Sequence, residues 1–530
     1  MWVTKILHLT LFFTCWMICT IQTYADVHFI ENGFEYSSLI PGQCGQFCVK
    51  DTTDAVMLKG YVSPYSFDSR QPLHIPASVV HNGKTYKVKE IGENALFGLP
   101  SVESIIFDEG IVKIDAYAIC HCTNLKSVYI PASVNNIHNS LFLYCPNLTE
   151  IVVNPDNENY DSRDHCNAII YDDELIVGCN GTKIPDSVKE IGEYAFLCRN
   201  GLEEIIIPEG VISIGLCAFA NCGSLRRVSL PSSLEEIKLD AFASCTSLDS
   251  IFIPKQVNNI YDNIFSGCTR LSSIVVDKEN KYYDSRLDCN GIIRTKDSTL
   301  IAACKATRLV ESIKDLYAGF DGVTIHTIRI PKSVKHISGG DFSGCKEIDN
   351  ISVDPENPKY ISPEGSNAIL TKDGKELVLG CRTTIIPAGV EEINSEAFNG
   401  RCTDIALTLP EGIKTIDYAA FANNKSICTV TIPSTVTDID IHAFSNCENL
   451  QAVQFLAPIE EIFPYTFCNC KNLSIINIPE GVKAIDTKAF EGCTNLKNIH
   501  LPSTLEEIEE GAFEGCPCEE SVKRFIKQKK

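Results

Sequence analysis

The chain has 530 residues, with 46 Lys plus Arg against 68 Asp plus Glu, a formal charge of −22. That balance excludes a protein that coats nucleic acid, whose affinity comes from cations neutralising phosphates, and it excludes broad adhesion to anionic membranes. Apolar residues make up 44 % and charged residues 22 %, a globular composition, and the length excludes a small disulfide-stapled domain.

Residues 1–25 read as a secretory signal peptide. Lys5 is the only charge before Asp26, Ile6 to Ile21 is mostly apolar, and Thr23-Tyr24-Ala25 places small residues at −3 and −1 of a cleavage site. A retained anchor is the competing reading, but no stop-transfer charges follow. A lipoprotein would use Cys15 or Cys19, and neither is preceded by the small residues such a site needs. No later run of about 18 apolar residues exists, so no transmembrane segment is expected after cleavage.

Residues 26–85 form a β-rich cap, in which Asn82-Gly83 reads as a tight hairpin turn. Gly83-Lys84-Thr85 has the tail of a phosphate-binding loop, but Ser78 stands where its first glycine must be.

Residues 86–516 repeat. IPEGVISIGLCAFANCGSLRRVSLP, LPSSLEEIKLDAFASCTSLDSIFIP and IPEGVKAIDTKAFEGCTNLKNIHLP align without gaps. Pro185, Pro208, Pro231 and Pro254 are spaced by 23, as are Pro387, Pro410 and Pro433. Eleven residues after each proline comes an aromatic slot, held by Phe196, Phe219 and Phe242 in successive copies and by Ile119 once. Phe97 opens the series, which runs to fourteen copies, and a degenerate fifteenth is expected near 308–331. The stretch L-x-x-I-x-I alternates as a half-buried strand does, and the proline after it ends the strand. One such unit cannot bury its own apolar side, so the copies must stack into a continuous core. At about 4.8 Å per coil the stack extends roughly 70 Å.

Three interruptions near 154–185, 277–308 and 354–387 break the period. Each has an acidic turn, a tyrosine and two short apolar strands, and reads as a β-hairpin inserted into the wall. Asn154, Asp156, Asn157, Glu158 and Asp161 supply hard oxygens, so calcium is an alternative role for the first one. Its spacing is not that of an EF-hand. Residues 517–530 read as a C-terminal cap, with Val522, Phe525 and Ile526 on one helical face.

The repeats resemble the BspA-like family of leucine-rich repeats, found on secreted and surface proteins of Bacteroidota and some mucosal protists. The resemblance covers about residues 70–516, and FIENGFEYSSL with HIPASVVHNGKTYKVKEIG is similar to the opening segment of bacterial members. It implies a β-dominant leucine-rich repeat solenoid: a parallel strand ladder of about 23-residue repeats with little helix and three inserted β-hairpins. It further implies a secreted or cell-surface binding or adhesion protein with no catalytic centre and no cofactor.

Ten cysteines, among them Cys122, Cys222, Cys345 and Cys516, share one slot three residues after the aromatic one. Asn424 and Arg401 replace cysteine there without loss of a partner, so these read as buried thiols acting as small apolar residues. Cys44 with Cys48 is the disulfide candidate. There is no C-x-x-C pair, no H-E-x-x-H and no G-x-S-x-G. Cys120-His121-Cys122 is too small a ligand set for a metal, so no metal site is expected.

In the strand, the residue between the last two apolar positions points outward. Tyr129, Val152, Ile206, Phe252 and Val275 make this column apolar in the first half, and Thr408, Thr431, Gln454 and Asn477 make it polar in the second. The expected ligand-binding face is the apolar half. The expected partner is an extracellular protein or cell-surface macromolecule, with a glycan or a purely structural scaffold role as alternatives, and no nucleic acid.

Overall fold

The structure is a computed structural model that describes residues 28–39, 54–63, 71–317, 319–320, 322–456 and 459–529. The proposed signal peptide and the Cys44–Cys48 pair lie outside the described residues.

Each coil carries two strands. The longer one comes from L-x-x-I-x-I and stacks in parallel on the next coil, as in Ser127–Ile130 beside Glu150–Val153, with Ile151 opposite Val128. Its burial alternates, so one side faces the core and the other faces out. The shorter strand is two residues long and forms a second parallel ladder, for example Glu190–Ile191, Ser213–Ile214 and Glu236–Ile237. The solenoid has about 18 turns. The degenerate stretch after 308 is a full coil, with a short rung at Asp315–Leu316, Phe320 in the aromatic slot and Thr327–Ile330 in the long ladder.

Both ladders reach into the cap. Leu73–Ile75 is the first long rung, and Lys84–Ile91 passes from the cap hairpin at Asn82-Gly83 into the short ladder. At the other end the α-helix Glu519–Lys529 closes the last coil. Val522 is buried and Phe525 packs against the same cluster, while the Ile526 side chain lies outside the described residues.

The aromatic slot is a column of stacked rings. Phe196, Phe219 and Phe242 lie 4.8 and 5.3 Å apart, and Phe398, Phe421 and Phe444 lie 5.0 and 5.3 Å apart, all within 9° of parallel. Left-handed residues flank the slot on both sides, such as His442 and Asn446 around Phe444. They reverse the chain tightly enough to keep the coil at constant length. In the first coil Leu96, not Phe97, takes the slot: Leu96 is fully buried, while Phe97 is 39 % exposed. Two adjacent apolar residues compete there, and the left-handed Asn94 and Gly98 fix which one turns inward.

The cysteine slot is a column of thiol donors. Cys222 Sγ donates to the Phe196 carbonyl at 3.0 Å, and Cys245, Cys268 and Cys470 repeat the bond one coil on at 3.1–3.3 Å. Asn424 fits because its amide nitrogen makes the same bond to Phe398, at 3.0 Å. All 22 described cysteines are thiols, Cys166 and Cys179 included.

The insertions are coils in their own right, which the expectation of hairpins added to a wall did not foresee. Glu174–Gly178 forms a hairpin with Ala168–Tyr171 and pairs in parallel with Glu190–Ile191, serving as a rung of the short ladder. The hairpin crosses the core as a septum. Ile169 and Val177 pack into the cluster before it, whereas Ala168, Ile170 and Leu175 pack into the cluster after it. The second septum, Gly291–Arg294 with Thr299–Ala303, and the third, Ala368–Thr371 with Glu376–Gly380, do the same. The core is therefore four blocks.

Candidate recognition face

The long ladder presents the candidate face. Within each run of rungs its hydrogen-bonding groups are engaged by neighbouring coils, although Arg227–Ser229 and Ser250–Ile253 are not paired with each other, so the face offers mainly side chains. Val152 stands opposite Tyr129, Ile206 opposite Ser229, and Phe252 opposite Val275. Ile206 is 74 % exposed, Phe252 50 %, Val275 45 % and Val152 38 %, and Tyr129 is half-buried. The first septum separates Tyr129 and Val152 from the other three, so the five do not form one unbroken column.

Sequence reasoning left out residues at both ends of this column. Ile106 pairs with Tyr129 and His74 with Ile106, extending it toward the cap, and Arg329 pairs with Ser352 beyond the second septum. The I-x-I pattern at 104–107 carries the signal for Ile106. The second half is less uniformly polar than its central column, because Ile475 is exposed in the flanking column.

Charges beside the apolar column pair with one another across coils. Arg227 bonds Glu204, Lys126 lies 2.9 Å from Glu103, and Arg270 lies 3.5 Å from Asp249. Exposed pairs of this kind add little stability, but they neutralise the margins of the stripe. The arrangement can bury apolar surface against a partner without stranding a charge.

The other chemical candidates are absorbed by structure. Asn157 donates to the carbonyls of Pro131 and Val134 at 2.9 and 2.8 Å, and its side-chain oxygen accepts from the amides of Asn159 and Tyr160. Asp161 is gripped by Arg163 at 2.8 Å. Those two oxygen donors of the calcium reading are thus committed to the hairpin. His121 is stacked on Tyr144 at 4.6 Å and meets Phe97 at a tilt at 4.9 Å, while Cys120 and Cys122 are buried. Among the described residues no group of three or more His, Cys, Asp or Glu side chains is placed to hold a metal. Burial pushes the Cys222 and Cys447 thiols up to about 12, so they are not nucleophiles.

Fold and face define a leucine-rich repeat solenoid that presents a strand ladder. The chain belongs to the BspA type leucine rich repeat family, which matches residues 81–168, 177–287, 304–365 and 391–520 in six copies. The three stretches left between those matches fall on the septa. No curated protein matches the chain. Among solved structures it is similar to a leucine rich cell surface protein from Faecalibacterium prausnitzii, at 22 % identity over 93 % of each chain with a TM-score of 0.29. It is also similar to a leucine-rich repeat protein from Bacteroides ovatus, at 22 % identity over 92 % of each chain with a TM-score of 0.31. The pneumococcal vaccine antigen PcpA is 16 % identical, with 91 % of this chain and 98 % of that one covered and a TM-score of 0.33. Among the described residues no helix is long and apolar enough to cross a membrane.

Proposed function

We propose that the protein is exported and acts at the cell surface or beyond it as a non-catalytic recognition solenoid for an extracellular protein. The observation that carries this reading is the exposed stripe of Ile206, Phe252 and Val275 on a ladder whose flanking charges pair among themselves. Phe252 and Val275 stand on adjacent coils, with Ser229 between them and Ile206, and exposed apolar side chains grouped on one face of a folded chain mark an interaction site. Lys5, the apolar run after it and Thr23-Tyr24-Ala25 support export.

The test is binding of residues 26–530 to paired arrays of extracellular-matrix proteins and glycans. Saturable binding to a protein that is lost in Ile206→Ser/Phe252→Ser/Val275→Ser supports the reading. Binding to glycans alone moves the protein to polysaccharide capture, and silence on both arrays favours a scaffold.

A further inference from the structure

The three septa differ at one position. After the first septum the cysteine slot holds Arg199, and after the third it holds Arg401; both are almost completely buried. Arg199 Nη1 donates to the Phe142 carbonyl at 2.5 Å and its Nε to Gly178 at 2.8 Å. Arg401 Nη1 donates to the Phe342 carbonyl at 2.8 Å. Phe142 and Phe342 hold the aromatic slot of the last coil before the respective septum. Each arginine therefore threads past the hairpin and ties the block behind it to the block ahead.

Gly178 and Gly380 make room for this arrangement. A Cβ on Gly178 would lie 2.2 Å from the Phe196 ring, and one on Gly380 would lie 2.1 Å from the Phe398 ring.

The second septum has neither feature. Ala303 stands at the glycine position and Val323 at the arginine position. Val323 donates its backbone N–H to Phe320 as Arg199 does to Phe196 and Arg401 to Phe398, so the three positions are structurally equivalent. Where the guanidinium runs elsewhere, a cavity of about 10 Å³ remains, lined by Asn263, Phe265, Ala303, Gly319 and Val323. Of the three septa, the second also leads into the shortest run of the short ladder. Thr299–Ala303 pairs with Asp315–Leu316, and from there a single bridge, Asp315 to His336, leads on. The first septum instead leads into four successive rungs ending at Asn259–Ile260.

We propose that the second septum is a joint, the place where the solenoid opens and bends first. It lies between the apolar ladder ending at Val275 and the block whose outward column carries Arg329 and Ser352, so bending there changes the angle between the apolar face and the ladder beyond it. The side-chain bond that spans this septum in place of an arginine tie, Tyr317 Oη to Asp262 Oδ2 at 3.4 Å, is exposed and long, and local opening follows from weak cross-block bonding and incomplete packing.

Hydrogen exchange on the whole chain tests this. Amides of Thr299–Ala303 should exchange at least about tenfold faster than those of Glu174–Gly178 and Glu376–Gly380. Ala303→Gly/Val323→Arg, which installs the missing tie, should slow them toward the rates of the other two septa. Arg401→Val should speed exchange about tenfold at Glu376–Gly380 and leave Glu174–Gly178 unchanged. Equal protection at the three septa in the unmodified chain would overturn the proposal, and so would a double variant that folds but leaves the second septum as fast as before.

Discussion

The hydroxyl of Tyr283 accepts the backbone N–H of Ile260 at 2.9 Å. Ile260 ends a run of the short ladder, and the hairpin that follows pairs only with the rung after it, so the Ile260 amide would otherwise be an orphan in the wall. Tyr160 does the same for Ile137 at 3.1 Å, and Tyr360 for Ile337 at 3.0 Å. An asparagine three residues before each tyrosine anchors the turn to the carbonyls of the preceding coil. The N-x-x-Y spacing is thus the device that lets a septum interrupt the ladder without leaving a buried donor unpaired. Tyr283→Phe keeps the ring and removes the acceptor. It should cost about 1–3 kcal/mol, read as a lower midpoint in denaturant unfolding; an unchanged midpoint would show that the amide finds another partner.

The glycines of the first and third septa are required for space. Gly380→Ala drives a methyl into the Phe398 ring, whose nearest carbon is 2.1 Å from the added Cβ. Overpacking at this site should cost about 2–3 kcal/mol. Ala303→Gly adds no atoms and should cost less than about 1 kcal/mol. Thermal melts of the two variants separate the cases, and equal losses would contradict the packing argument.

The thiol column makes a chemical prediction. Cys428 is the one described cysteine that is half-exposed, while the slot cysteines are buried, and burial pushes the thiols of Cys222, Cys447 and Cys470 up in pKa. Brief alkylation of the native protein followed by peptide mapping should label Cys428 and leave Cys222, Cys447 and Cys470 unlabelled until the chain is unfolded. Labelling of the slot cysteines at the rate of Cys428 would mean that the column is open to solvent.

Asp486 sits on the outer side of the short ladder near Glu461, Glu507 and Glu509. Burial first, and repulsion from these carboxylates second, raise its pKa to about 6. A carboxyl raised in the folded state holds its proton better folded than unfolded. Its effect on stability is therefore most favourable at acid pH and is lost as pH rises from about 4 through 6. Asp486→Asn should be more stable than the unmodified chain at pH 8 and equal to it near pH 4. The side chain is largely solvated, so the gain should stay under about 1 kcal/mol. A constant difference across that range would contradict the assignment.

The period was legible because two slots, one aromatic and one cysteine, recur at fixed distance from a proline. The columns they form follow directly from stacking. Asn424 in the cysteine slot already indicated that no disulfide partner was at stake, and the structure supplies the reason: thiol and amide alike donate to the aromatic-slot carbonyl of the preceding coil. The septa were less legible. A run such as Ala168-Ile169-Ile170, buried on both faces, has no alternation to distinguish a strand crossing the core from one in the wall. Arg401 read as a tolerated exception because its acceptor, the Phe342 carbonyl, is 59 residues away. Leu96 and Phe97 could not be ordered by apolarity alone. On the candidate face, the outward positions were legible from strand alternation and the insertion between Val152 and Ile206 from the broken period, but not that its hairpin crosses the core.

The central claim is that the apolar half of the ladder is where a partner binds. Affinity for a protein captured by the unmodified chain should be compared between Ile206→Ser/Phe252→Ser/Val275→Ser and a control pair, Thr431→Ser/Gln454→Ser, on the polar half. Burying an isoleucine or phenylalanine is worth about 1.5–3 kcal/mol, so the triple variant should lose at least about tenfold in affinity while keeping its melting temperature, and the control should lose nothing. Undiminished binding by the triple variant, or a loss confined to the control, would contradict the account.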